Sequence, residues 1–547
     1  MTSRLDGVLF LKMVKNGAAN LEFNKNTVND LNVFPVPDGD TGDNMSMTIN
    51  AAAKTVKEVG NLEKVAEEVA KETLFGARGN SGVILSRIFA GISNDLKKEE
   101  ASVIEFNYAM QSGVTEAYGA VSSPVEGTIL TVLKDSVSFA NARINTEMSF
   151  EEYFEDLVEE MKNSIQRTPE LLPSLKEAGV VDSGGVGLLY IFEGMKDAIL
   201  GKVLSFQSQE KTEKSTEEDF SLFTENSELE FGYCTELLLR LQNKKIDISS
   251  FELEELLEFL NSIGDSVVAF KDGSIVKIHA HTKTPGKIFD YCQKFGEFLK
   301  VKVENMNIQH SAATIQNNFN NFKSKPHKKY GIVTVANGDG IVKTFKELGC
   351  DKVIFGGQSM NPSTKDFLDA FSEINADTIF VFPNNKNIIM AAKQAAENYQ
   401  GAEIRIIETK TIGEGYAAVS MFDSSLKNPD EITESLEETI KNVVTGQVSR
   451  ASRNTEIDGI QVKDGDYIGF SGKEILTDNE NREETLKELA KKLSVEKFDI
   501  AILIFGEDVG KETAEEMKKF FTEGYPRTEF YLIDGEQPIY DYILILE

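Results

Sequence analysis

The chain is poor in cysteine, lacks any long apolar run and is short of positive charge, and each shortage excludes something. Its three cysteines, Cys234, Cys292 and Cys350, are an odd number set far apart, which argues against a disulfide framework and for a reducing cytoplasm. No apolar stretch approaches the ~20 residues that a membrane-spanning helix needs. The patch Val8–Leu11, close behind Asp6, is too short for a signal peptide. Asp and Glu number 89 against 58 Lys and Arg, a net charge of −31. Such a surface repels nucleic acid and anionic membrane, so neither is expected as a partner. An anionic substrate must then be met by a metal or by local basic groups.

What is present is a soluble, globular composition in 547 residues, 41% hydrophobic and 27% charged. Two polar stretches without apolar period, SFQSQEKTEKSTEED (205–219) and NNFNNFKSKPHKK (317–329), read as linkers. They define three domains, 1–204, 220–316 and 329–547. In the first, apolar residues recur every three to four positions over 62–75, 150–165 and 187–200, which predicts an all-α domain. The second has strand-like runs on both sides of Lys271-Asp272-Gly273, helical patterns over 251–263 and 285–298, and outer strands at 229–239 and 299–305. That β-α-β-β-α-β order predicts an α+β ferredoxin-like sandwich. The third has short apolar runs at 351–357, 378–385, 403–409 and 499–508 with helices among them, the pattern of an α/β domain on a buried parallel sheet.

The strongest chemical signal is NVFPVPDGDTGDNM (32–45). Asp38 and Asp40, two apart beside flexible glycines, can aim hard oxygen ligands at one Mg²⁺. A helix starts directly behind them, so backbone N–H groups from Thr41 to Met45 face the same space and suit phosphate. Three further glycine-rich helix starts lie in the same domain: Gly79–Gly82 in GARGNSGVILS, Gly127-Thr128 in SPVEGTILT, and the pair in GVVDSGGVG. Any one of them is an ordinary helix cap. Four together, one bearing paired acids, point to a nucleotide–Mg²⁺ site, and no segment matches the P-loop pattern G-x-x-x-x-G-K-[ST].

Here the residues resemble a known family. The first 200 residues are similar to the nucleotide-binding domain of dihydroxyacetone kinases, an antiparallel helical barrel holding ATP and two Mg²⁺. The segments NVFPVPDGDTG, GARGNSGVILS, PVEGTILT and VVDSGGVG resemble the ATP-binding subunits of bacterial fatty acid kinase, and the three-domain layout matches as well. The resemblance implies that Asp38 and Asp40 hold the metals. Asn32 stands near the place of a third metal-binding acid, with an amide and a spacing different by one residue. Asp43, a departure from the family pattern, is assigned a weak metal role. Thr41, Asn44, Met45, Ser81 and Gly82 are then expected at the phosphates, and Thr128 and Asp182 around the nucleotide.

A second constellation is Cys234 with the His279-Ala-His281 pair, because alternation along a strand brings both imidazoles to one face. Two nitrogens and one sulfur suit Zn²⁺ with an open position, and His310 is a candidate fourth ligand or acid/base. The fatty acid kinase resemblance supports a metal here, with His281 orienting or neutralising an acyl carboxylate. The third domain resembles the DegV-like lipid-binding fold and carries no catalytic constellation, so partner docking or homodimer formation is expected of it. Arg450 and Arg453 are its conspicuous cations. The expectation is an ATP-dependent kinase acting on a fatty acid carboxylate presented by a separate fatty-acid-binding carrier. A dihydroxyacetone-type polyol kinase and a non-enzymatic nucleotide-binding adaptor remain as alternatives.

Overall fold

The computed structural model describes residues 2–31, 39–121, 123–202, 233–246, 251, 253–263, 265–272, 274–305, 327–357, 360–457 and 459–547. Both linker stretches lie outside these residues except for 327–329, and Lys328 already opens a strand.

The apolar period of the first segment forms helices. Among the described residues they are α1 (Gly7–Asn29), α2 (Thr41–Thr55), α3 (Leu62–Gly76), α4 (Gly79–Asp95), α5 (Val103–Gly119), α6 (Ile129–Arg143), α7 (Phe150–Leu171), α8 (Pro173–Ala178) and α9 (Ser183–Ile199). A two-residue antiparallel pair, β1 (Leu5–Asp6) with β2 (Glu100–Ala101), is the only sheet found among them. Ser102 and Ser149 start α5 and α7 with reciprocal capping boxes to Glu105 and Glu152. The core stacks Phe106, Phe150, Tyr153, Phe154 and Phe192, all essentially buried, each contributing about 1.5–3 kcal/mol by burial. The last helix starts at Ser183, earlier than the expected 187. Asp182 accepts from the Gly185 N–H at 2.7 Å and so draws the glycine pair into the first turn.

The middle segment runs β3 (Tyr233–Leu241), α10 (Leu253–Ile263), β4 (Asp265–Asp272), β5 (Ile275–Thr282), α11 (Pro285–Cys292) and β6 (Gly296–Asn305). The sheet is antiparallel in the order β4-β5-β3-β6. The helix expected to reach 298 stops at Cys292, and the strand begins at Gly296. Phe295 packs against Phe251 and Tyr291, and Gly296 already pairs with Leu241, so sheet pairing takes over where the helical pattern was expected to continue.

Among its described residues the third segment holds two large sheets and one two-stranded sheet where one parallel sheet was expected. The first follows the expectation: β7 (Lys328–Ala336), α12 (Asp339–Glu347), β8 (Lys352–Phe355), α13 (Thr364–Ser372), β9 (Ala376–Phe382), α14 (Ile389–Asn398) and β10 (Glu403–Ile406) build a parallel sheet ordered β10-β9-β7-β8. Then α15 (Ile412–Ser420) and α16 (Pro429–Lys441) lead into β11 (Val444–Arg450), the pair β12 (Thr455–Ile457) and β13 (Ile460–Val462), β14 (Tyr467–Ser471), β15 (Glu474–Asn479), α17 (Arg482–Lys492), β16 (Ile500–Phe505), α18 (Lys511–Gly524), β17 (Glu529–Asp534) and β18 (Tyr540–Leu546). The apolar run 499–508 sits as β16 in a mixed sheet ordered β15-β14-β11-β18-β16-β17. The nearly all-apolar β18 inserts antiparallel between β11 and β16 and pulls that strand away from the parallel sheet.

Two contact units result, one joining 1–207 with 326–547 and the other spanning 208–325. Within the first unit, α4 of the helical domain packs on the parallel sheet's helices. Ala77 and Val83 enter the same core as Val333, Phe367 and Ala391. Buried Gln394 on α14 accepts from Ser86 Oγ and Arg87 Nε and donates to the Leu74 carbonyl and Thr364 Oγ1. A buried amide with every bond made fixes the register of the two domains.

Candidate nucleotide site

Four helix starts meet at one end of the helical domain. The start of α2 lies beside that of α9, where the hydroxyls of Thr41 and Ser183 are 3.4 Å apart and Met45 packs at Gly187. It also lies beside the start of α4: a Cβ on Gly82 would collide with the Thr48 hydroxyl and touch the Asn44 carbonyl. The start of α6 completes the group, because Ile129 packs at Gly184 and its N–H donates to Asp182. Each start carries a partial positive charge, so the cluster favours an anion.

Gly79 shows how tight the approach is. Its φ is +57°, a region that costs other residues, and a Cβ there would lie 2.6 Å from Asn44 Nδ2 and 3.3 Å from Asn361 Nδ2. Thr48 Oγ1 donates to the Asn44 carbonyl and receives the Arg78 N–H, tying α2 to the turn before α4.

Asp40 is the N-cap residue of α2 and makes no side-chain cap bond to that helix. Its Oδ2 instead receives Asn361 Nδ2 at 2.5 Å, from the loop between β8 and α13. Asp38 and Asn32 lie outside the described residues. Asp43, expected near the metal, is held otherwise: Asn29 Nδ2 donates to one carboxylate oxygen at 2.7 Å and Lys25 pairs with the other at 3.2 Å. Asn29 Oδ1 in turn accepts the Gly42 N–H. Asp43 thereby ties the start of α2 to the end of α1.

Ser81 lies in the first turn of α4, and the Thr128 hydroxyl turns back to the Val125 carbonyl at 2.8 Å. Asp182 sits between two helix starts. Burial pushes its carboxyl up to about 6, against the N–H donors of Gly185 and Ile129, which favour the charged form. Basic groups near α2 are already engaged: Lys25 with Glu22 and Asp43, Arg78 with the Asn361 carbonyl and Asp366. Arg450 and Arg453 donate to the carbonyls of Gly465 and Asp30, the second reaching from the third domain to the end of α1.

In the middle sheet the backbone register pairs Cys234 with His281, and His279 stands two residues along opposite Glu236. Their side chains and His310 lie outside the described residues. No group of three or more His, Cys, Asp or Glu side chains able to hold a metal occurs among the described residues. Cys292 and Cys350 are buried free thiols, pushed up to about 12 by burial and therefore unreactive as thiolates. No described helix is long and apolar enough to cross a membrane.

The helical domain is of the DAK2 class: a model of the DAK2 domain matches residues 35–197. Models of the FakA-like middle and C-terminal domains of fatty acid kinase match 230–313 and 331–547. Protein YloV of Bacillus subtilis (strain 168) is 41% identical over 559 residues, covering 99% of each chain. The chain belongs to the FakA-like fatty acid kinase family. Among solved structures, a DegV family protein from Thermus thermophilus, described for fatty acid binding, aligns with 40% of this chain and 99% of its own at 13% identity and TM-score 0.31. The dihydroxyacetone kinase of C. freundii, solved with AMP-PNP and Mg²⁺, aligns with 36% of this chain and 35% of its own at 18% identity and TM-score 0.29.

Sequence reasoning misses Asn361. The segment FGGQSMNPSTKDF stands out only as a loop following a strand, and nothing in its letters marks the asparagine. The local signal is the Pro362-Ser363 that follows, a stiff turn into a helix cap that fixes whatever precedes it.

Proposed function

We propose that this chain is the ATP-binding kinase component that transfers the γ-phosphoryl group of ATP to the carboxylate of a fatty acid held on a separate fatty-acid-binding protein, giving acyl phosphate and ADP. The observation that carries the reading is the gathering of four helix starts, one of them headed by Asp40. One feature supports a metal-bound nucleotide there: two amide oxygens at the cluster, Asn80 Oδ1 and Asn361 Oδ1, are buried without a partner among the described residues.

In this reading Asp38 and Asp40 hold Mg²⁺, which when bound neutralises charge on the phosphates. The N–H groups of Thr41 and Ser81 orient the phosphate oxygens, those of Gly42, Asp43, Asn44 and Gly82 being bonded within the protein; Asn44, Met45 and Gly82 line the phosphates, and Thr128 and Asp182 lie around the nucleotide. A carboxylate oxygen of the fatty acid forms the new bond to phosphorus as the bond to the ADP oxygen breaks. The acceptor is already ionised at neutral pH, so the chain needs no general base. Positioning and charge neutralisation are sufficient machinery for such a transfer.

The antiparallel order β4-β5-β3-β6 supports a ferredoxin-like reading of the middle domain. The pairing of Cys234 with His281 supports a metal there that orients the acyl carboxylate. The third domain is read as DegV-like and serves docking or dimerisation. The reaction is tested by incubating the protein with ATP and either carrier-bound fatty acid or dihydroxyacetone. Acyl phosphate from the first alone supports the proposal. Phosphorylated dihydroxyacetone identifies a polyol kinase, and unchanged ATP in both identifies an adaptor. Elemental analysis of the pure protein, with full transfer activity in His281→Ala as the opposing result, tests the middle-domain metal.

A further inference from the structure

Asn361 belongs to the third domain, yet its side chain lies in the helical domain's site. The residues around it are held in place: Gly357 pairs with Met360, Pro362 packs on Gly356, and Ser363 caps α13 in a reciprocal box with Asp366. The Thr364 N–H then donates to the Ala77 carbonyl, and the Asn361 carbonyl takes Arg78 Nη1 at 2.7 Å, so residues 361–364 are tied to the turn that opens α4. Asn361 itself is 2% exposed.

Its amide has a divided role. Nδ2 donates to Asp40 Oδ2 at 2.5 Å and lies 3.4 Å from Asn44 Oδ1. Oδ1 has no hydrogen-bond partner among the described residues. Leaving a buried carbonyl oxygen unpaired is unfavourable, and an acceptor beside a carboxylate is filled naturally by a divalent cation or by a water bound to one. Mg²⁺ keeps several of its waters and takes hard oxygens. A phosphate oxygen, itself an acceptor, does not satisfy it.

We propose that Asn361 is a positioning residue for the cation of the nucleotide site: its N–H group fixes the Asp40 carboxylate and its carbonyl oxygen accepts from the hydrated metal, so that the third domain is a working part of the kinase site. This rests on the reading of Asp40 as a metal ligand. Groups that hydrogen-bond to a ligating carboxylate change metal affinity by about 10–100-fold when removed.

The test measures binding of a non-hydrolysable ATP analogue to the full chain across a Mg²⁺ titration, with melting temperature recorded in parallel. In Asn361→Ala the Mg²⁺ concentration for half-saturation should rise about 10–100-fold, while binding of the analogue without metal stays as in wild type. Asn361→Asp keeps the shape and replaces the donor by a second carboxylate. Its melting point should fall without Mg²⁺ and recover on adding Mg²⁺ alone, which a simple packing role would not produce. Arg87→Ala, at the same domain interface but away from Asp40, should leave the Mg²⁺ requirement unchanged. If Asp40→Asn loses metal-dependent binding while both Asn361 variants titrate like wild type, this inference is overturned and the site reading stands. If Asp40→Asn also titrates like wild type, the site reading falls, and this inference with it.

Discussion

Two loops meet at Asp40, and they differ in how openly they declare themselves. The loop entering α2 is dense in acids and glycines, so its chemistry is written in the residues. The loop between β8 and α13 contributes one neutral amide, held by a proline and a serine cap, and its part depends on a partner 321 residues away. Charge that must bind a metal requires particular residue types, whereas positioning requires only that an ordinary hydrogen-bonding group arrive in the right place. Ligands are therefore easier to recognise than the groups that aim them.

The largest effect should come from the first loop. Asp40→Asn is expected to lower phosphoryl transfer by ~10³-fold or more with the melting temperature nearly unchanged; ordinary turnover would put the chemistry elsewhere. Next comes the joint between the domains that carries the second loop. Gln394→Leu removes the donor to the Leu74 carbonyl and the Thr364 hydroxyl and the acceptor for Arg87 Nε. It should cost about 1–3 kcal/mol, seen in denaturant unfolding as earlier separation of the helical and third domains.

A smaller, pH-dependent effect belongs to Asp182. Its folded carboxyl titrates at about 6, above its ordinary 3.8, so between those values the folded chain holds a proton that the unfolded chain has lost. Stability from this group is therefore greatest below about pH 4 and falls as pH rises to about 6. Melting curves across that window should slope downward in wild type and be flatter in Asp182→Asn, whose amide oxygen can still cap α9. An equal slope in both would locate the titration elsewhere. The smallest change is expected for Glu397→Ala, which breaks the pair with Arg87 and keeps the Arg87 bond to Gln394. Glu397 is largely exposed, and such pairs contribute under about 1 kcal/mol, so a large loss of stability would mean that the interface is held by charge and not by Gln394 and the shared core.

Much of the fold was legible because its signals are local. The three-to-four spacing in 62–75 and 150–165 became α3 and α7, and the two runs around Lys271-Asp272-Gly273 became the antiparallel strands β4 and β5. The four glycine-rich helix starts were legible too, since small residues are needed wherever a helix end approaches another backbone. What stayed hidden was non-local. The run 499–508 looks like any buried strand, and only β18 beside it sets the mixed sheet. Asp43 has the same letters whether it faces a metal or, as here, Lys25 and Asn29.

By itself, the order of residues determined the helical first domain, the alternating strands after it and the place where acids and phosphate-type helix starts occur together, because period, capping and charge act over a few residues. Only the tertiary structure decided that the first and third domains form one unit and that Asn361 reaches Asp40. A hydrogen bond between distant positions leaves no mark in either segment's composition, so it exists only once packing has brought the two loops together.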